Sequence, residues 1–442
     1  MYNTRLSKEV VSNPSLEKGS RVDQILPFIC GLVAYKTFFN YYLFIIPQIS
    51  WFWTALYNVV TLFMLVLFLP MFFTALSKLV SRKLKKMAPV IVIPLCVVIN
   101  IVYVMICAND LSIISRSYYM AAAAGTNDQY GYYFSQVNTW FGNMAIVALL
   151  AIYTRSRKTI VKCVVSTMMV LVIPILILVL LHPEYLGIRQ STFESSTVTF
   201  GGGLWNIGVI GFGSVTWIGM ALLKEATKAH RIIIIFSAIA FIFVGIAGIS
   251  RTLILMVLFS GLYYFFKAKK NASWAAKLVL VLLAVFVFCL VEQDLIAAIL
   301  DRFSGSDSVT GNIRLTLWAA YIRHFGEVFL IGAPLGSVYN YYNDVNMYGH
   351  HFLPHSAILN FLIRFGLVAC IAYLSLVKNA FWSIKATQSQ EKTRLAACIK
   401  AGGVAYITLA FINQTGYAEA IFYVMFGLLL ALVRIENSYE ES

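Results

Sequence analysis

"RIIIIFSAIAFIFVGIAGISRTLILMVLFSGLYYFFK", residues 231–267, is one apolar run interrupted only at "GIAGISRT" (245–252). A bilayer core of ~30 Å needs ~20 helical residues, so the run is too long for one ordinary crossing and long enough for two short ones. Flanking charge decides between them. One crossing would place "KAKKNAS" (267–273) and "SKLVSRKLKK" (77–86) on opposite sides of the membrane, against the inward bias of basic residues. Two crossings place both inside, with the reversal at Arg251.

The rest of the chain follows from that division. It has 442 residues, 60% of them hydrophobic and 12% charged, with mean hydropathy +0.79. A soluble domain carries about a quarter charged residues. Apolar runs recur along the whole length without the alternation of barrel strands, which predicts an all-α polytopic membrane protein. Twelve spans are expected, at 25–46, 51–76, 89–108, 137–153, 160–181, 204–223, 231–248, 250–266, 277–293, 355–377, 396–411 and 416–433. No short apolar stretch with a small-residue cleavage site opens the chain, so the first span is expected to be retained. Residues 1–442 read as a single integral membrane domain with both termini cytoplasmic. Of the 19 lysines, Lys36 alone lies away from the predicted inner segments and their flanks. The net charge of +15 is therefore topological and does not point to nucleic acid. Seven scattered cysteines in apolar segments suggest neither a disulfide framework nor a zinc site.

Chemistry is expected on the outer side, where the long segments fall: 109–136, 182–203 and above all 294–354, between spans nine and ten. A loop of that length in a compact protein is usually functional. The outer side carries arginines without lysine: Arg116, Arg189, Arg251, Arg302, Arg314 and Arg323. Within 306–337, Ile313, Leu317, Ala320, Tyr321 and Phe325 recur at helical spacing while Arg314, Arg323 and His324 fall on other faces, as in an amphipathic helix on the membrane surface. Its arginines have two readings: contact with lipid headgroups, or bidentate grip of a phosphate. Arg251, at a tight reversal between spans, has the same two.

"GHHFLPHSAILNFLIRFG" (349–366) closes the loop. His351 and His355 have metal-ligand spacing, but Pro354 between them belongs at a helix start, so the i, i+4 geometry fails and no metal is expected. A histidine there suits general-base work, His355 first and His351 second, or it lines the interface. Ser356, Asn360 and Arg364 follow as one polar stripe, with Arg364 ~13 Å below His355. Such a stripe faces a bundle interior or cavity, with Glu292 and Glu419 as possible partners. The Tyr- and Asn-rich outer stretches 117–141 and 339–348 suit a membrane interface or a carbohydrate groove. "TFGGGLWNIGVIGFGS" (199–214) lacks the P-loop lysine and reads as close helix packing.

Three of these pieces occur in a familiar order: "GISRTLILMVLF", then "NIRLTLWAAYIRHFGEVFLIGAPLGS", then "HSAILNFLIRFGLVACIAYL". Over roughly 199–377 the chain resembles the O-antigen ligase and O-antigen polymerase superfamily of bacterial glycosyltransferases. The resemblance implies a lipid-dependent, GT-C-like fold. It implies metal-independent, inverting transfer of a glycan from an undecaprenyl-pyrophosphate carrier to a sugar hydroxyl, outside the inner membrane. Matching positions give Arg251 and Arg314 as pyrophosphate clamps and His355 as the base, and Arg323 and Arg189 are further candidates for pyrophosphate binding. Family members often have Asn after the motif histidine, where this chain has Ser356. No cofactor is implied. The implied partners are lipid-linked oligosaccharide donor and acceptor, membrane lipids and a chain-length-regulating co-polymerase. Polymerase is favoured by the Phe/Tyr/Ile-heavy composition and loosely kept motifs. Ligase is the alternative, and a lipid-linked sugar transporter is a third reading from another class.

Overall fold

Apolar runs make helices because, in hydrocarbon, a backbone can satisfy its own polar groups only within a helix or a closed barrel. The computed structural model describes residues 21–39, 42–43, 46–81, 85–106, 129–181, 215–247, 251–267, 318–323, 325–332, 346–347, 350–351, 356–385, 390–413 and 418–438. Eleven labelled helices run through them: α1 (Arg21–Thr37), α2 (Ser50–Val80), α3 (Ala88–Ile106), α4 (Gln129–Tyr153), α5 (Arg157–Leu181), α6 (Val215–Ala221), α7 (Lys228–Ala247), α8 (Arg251–Lys267), α9 (Ala357–Trp382), α10 (Gln390–Ile412) and α11 (Ala420–Ser438). They coincide with the apolar segments marked from sequence. Of the predicted sixth span only its second half, as α6, is described, and the predicted ninth lies outside the described residues.

By length and composition, four stretches among the described residues can cross a membrane: Pro47–Val80, Arg157–Leu181, Ala357–Trp382 and Glu391–Ile412. These helices belong to a membrane-embedded protein. Among the described residues the one strand pairing is a two-residue antiparallel ladder, Asn346–Met347 against His350–His351.

The helices sort by how much of their surface is covered. Helix α2 buries one stripe (Val60, Met64, Phe68, Met71, Ala75) and exposes the opposite one (Val59, Leu62, Val66, Leu69, Phe73), the signature of a helix with lipid on one side. Its inner stripe meets α4, where Phe68 stacks on Phe141 with ring centroids 4.2 Å apart. Helix α11 is buried along nearly its whole length from Ala420 to Ile435 and forms the centre. Gly427 lets it approach α4 closely: a Cβ there would meet Leu150 at 2.8 Å and the Val147 backbone at 3.2 Å.

At one end of the bundle the charges of the predicted inner segments converge. Arg157 pairs with the buried Glu436 at 2.7 Å and with Glu225 at 3.7 Å, and Lys392 reaches Glu436 at 3.8 Å. Arg434 donates to the Ile152 carbonyl at 2.7 Å and also to that of Thr154. The Arg155 amide donates to Asp23 at 3.3 Å. Thus α1, α4, α5, α10 and α11 all bring polar ends to the same place.

Candidate functional site

Local chemistry starts helix α9 two residues beyond the predicted start at 355. Ser356 is its N-cap, in extended conformation (φ −141°, ψ 124°), and its Oγ accepts from the Leu359 amide at 3.3 Å. That contact satisfies one of the four orphan donors of a helix start. The same hydroxyl donates to the Ala410 carbonyl at 3.3 Å, and the Ala357 amide donates to the Asn413 carbonyl at 2.8 Å. The residue after His355 is therefore pinned to the end of α10. His355 itself lies outside the described residues.

The predicted polar stripe is present and turns inward. Ser356, Asn360 and Arg364 are 1%, 0% and 7% exposed. Both side-chain amide atoms of Asn360 are buried without a hydrogen bond. Phe361 and Phe365 flank the stripe and pack edge-on against Trp140 of α4, at 4.9 and 5.2 Å.

The stripe does not run down a continuous span. At Gly366 the backbone takes φ 79°, ψ 179°, which is not helical. In an unbroken helix residues twelve apart are separated by about 18 Å. Here the Phe361 and Tyr373 rings stack at 4.7 Å, and Cys370 Sγ donates to the Ile358 carbonyl at 4.0 Å. The chain therefore bends by roughly a right angle or more, and a first leg (357–365) folds against a second (367–382). The predicted tenth span is a bent pair.

A second segment fills the elbow. The predicted surface helix of the loop is described at 318–323 and 325–332. Ala320 and Tyr321 face inward as their spacing suggested, and Arg323 is exposed. Trp318 packs on Phe411 at 5.3 Å. Residues 329–332 then leave helical structure and dock on α9. The Leu367 amide, an orphan donor of the second leg, donates to the Phe329 carbonyl at 2.8 Å. Asn100 of α3 donates from Nδ2 to the Ile331 carbonyl at 3.0 Å and to the Arg364 carbonyl at 3.1 Å. Two positive-φ glycines allow the contact: a Cβ on Gly332 (φ 87°) would strike the Arg364 carbonyl, and one on Gly366 would strike that of Leu330.

Sequence reading missed Asn100, Gly332 and Gly366. The available signal was a lone amide inside "APVIVIPLCVVINIVYVMI" (88–106) and a glycine directly after the Arg364–Phe365 pair.

The remaining candidates are only partly placed. Arg251 is the first described residue of α8; its side chain and the expected reversal at 248–250 lie outside the described residues. Arg189 and Arg314 also lie outside them. The His351 backbone pairs with Asn346 in the ladder. Of the stripe's possible acidic partners, Glu292 is outside the described residues, and Glu419 directly precedes α11. No protein-family model matches the chain, and no curated protein matches its sequence.

Proposed function

We propose that this protein is an inner-membrane glycosyltransferase. It polymerises undecaprenyl-pyrophosphate-linked oligosaccharide units into a surface polysaccharide such as O-antigen, on the periplasmic face of a bacterial cell. The observation that carries the reading is the fixed, inward-turned polar leg that begins directly after His355. A general base must be held in place relative to its substrate, and Ser356 is held by Ala410 and Leu359. His355 takes the proton of the acceptor hydroxyl as that oxygen bonds to the donor's anomeric carbon. The bond from that carbon to the pyrophosphate oxygen breaks with inversion, and Arg251 and Arg314 hold the departing charge. No metal is required, because the arginines supply fixed cations.

In this reading the chain has twelve spans with both ends cytoplasmic and a GT-C-like arrangement. The gathering of inner-segment charges at one end of the bundle supports that topology. A chain-length-regulating co-polymerase is a fitting partner. The O-antigen ligase alternative uses the same residues with a lipid A–core acceptor. The broken helix α9 gives the transporter reading its one specific observation, since discontinuous helices line many transport sites. Yet two of the break's free backbone groups, the Leu367 amide and the Arg364 carbonyl, are already bonded to Phe329 and Asn100, which weighs against that role.

The test is purified protein with one lipid-linked repeat unit as sole substrate, read on a gel or by mass spectrometry. A ladder of growing chains supports the polymerase. Product only after lipid A–core is added makes it a ligase, and substrate movement across liposomes without product makes it a transporter.

A further inference from the structure

Lys36 is the lysine that the topological pattern leaves unexplained. It occupies the last turn of α1, fifteen residues and about 22 Å from the Arg21 end where Asp23 meets the inner cluster. Around it stands a dense aromatic group. Tyr35, Tyr42 and Trp53 lie within 5.0–5.8 Å of one another by ring centroid, and Phe39 contacts Tyr57 at 4.5 Å. The polar tips of this group are engaged with backbone: Tyr35 donates to the Trp53 carbonyl at 2.7 Å, Tyr42 to that of Val170 at 2.8 Å and Trp53 to that of Ile46 at 3.3 Å. The group is thereby rigid, and it borders an outward surface where Trp51 is 71% exposed. Aromatic rings so gathered at a helix end mark the headgroup level.

The Lys36 ammonium lies over the Tyr57 ring, 5.7 Å from its centroid. That distance is close to the outer limit of a cation–π contact, so the ring alone is weak compensation for a charge at this depth. Among the described residues no carboxylate lies within ion-pair distance of it. Among the described residues no oxygen acceptor stands beside its three N–H donors, and at the headgroup level a lipid phosphate supplies one.

We propose that Lys36 and the Tyr57 face form a binding site for the phosphate of an anionic phospholipid at the aromatic belt. The site is independent of the glycan-transfer reading. It gives a role to a lysine that stands in a span away from every other lysine: a mobile lipid anion completes the charge that the described residues leave open.

The test is native mass spectrometry of the full chain in detergent with equal phosphatidylglycerol and phosphatidylcholine. Wild-type protein should retain one phosphatidylglycerol in preference. Lys36→Gln should weaken that retention about fivefold, the worth of one lysine near a charged lipid surface, while Lys36→Arg keeps it. Unfolding midpoints in phosphatidylcholine alone check that the variants are folded. Unchanged retention in Lys36→Gln, or equal loss in Lys36→Arg, would overturn the proposal. Displacement of the lipid by millimolar inorganic phosphate would also overturn it, and would assign the site to a free anion.

Discussion

Replacing Gly366 by alanine separates an elbow built into the fold from a passive bend. At φ 79°, ψ 179° the residue occupies backbone space essentially reserved for glycine, and an alanine held there costs about 1–3 kcal/mol. The added Cβ also collides with the Leu330 carbonyl and comes within 2.8 Å of the Ile331 amide nitrogen. Residues 329–331 must then withdraw. Withdrawal breaks the Leu367–Phe329 and Asn100–Ile331 hydrogen bonds, worth about 1 kcal/mol each. The sum is about 3–5 kcal/mol. Gly261→Ala in α8 is the control, since nothing lies within 4 Å of a Cβ there. It should be neutral or stabilising by up to about 1 kcal/mol. Reversible unfolding in mixed detergent micelles, followed by circular dichroism, gives both values. Gly332→Ala should be similarly costly, and the double variant less than additive, because both dislodge the same contact. If Gly366→Ala lies within about 0.5 kcal/mol of wild type, the range of an ordinary surface change, the reasoning fails.

The other expectations concern chemistry and charge. His355→Ala should lower glycan transfer about 10²–10⁴-fold with the protein still inserted; unchanged transfer would pass the base role to His351 or another group. Arg251→Lys keeps the charge but loses the planar fork, and transfer should fall about ten- to a hundredfold. Near-normal activity would return Arg251 to a headgroup contact. Glu436→Leu removes the buried carboxylate shared by Arg157 and Lys392 and should cost about 3–5 kcal/mol on unfolding, part of it recovered when Arg157→Leu is added. Lys86, in the 77–88 segment, has its pKa lowered from 10.5, first by burial and then by Lys385. Its charged form is disfavoured by folding, so its penalty is full at low pH. Stability should rise as pH climbs from the lowered value towards 10.5. Lys385→Gln should shrink that alkaline rise; an unaltered profile of thermal midpoint against pH would refute the coupling.

Helix positions were legible because hydropathy is a local property. The expected 51–76 and 160–181 became α2 and α5 with ends shifted by a few residues. The Ser356–Asn360–Arg364 stripe was legible for the same reason: its helical period holds within nine residues, and all three side chains are buried. The elbow was not. Gly366 in an apolar run looks like a packing glycine, and only partners distant in sequence make it a break. Phe329 arrives from 38 residues upstream of Leu367, and Asn100 is 264 residues from Arg364. The loop was read correctly in period at Ala320 and Tyr321, yet its docking at 329–332 depends on a carbonyl-to-amide match that no pattern of side chains announces.

The bend in α9 also has a consequence for the surrounding lipid. After the break only residues 367–382 continue as helix, about 24 Å, against a hydrocarbon thickness of ~30 Å. Helix α2, with 31 residues, extends about 46 Å. One flank of the molecule is thus shorter than the bilayer and another much longer. Each ångström of mismatch costs a fraction of a kcal/mol, which lipid relieves by thinning beside the short helix and by tilt of the long one. The protein therefore imposes a gradient of thickness on its own membrane, thinnest beside the second leg, 367–382, which follows the one that carries the polar stripe. A long-chain lipid carrier would there have the shortest distance to lift its headgroup clear of hydrocarbon.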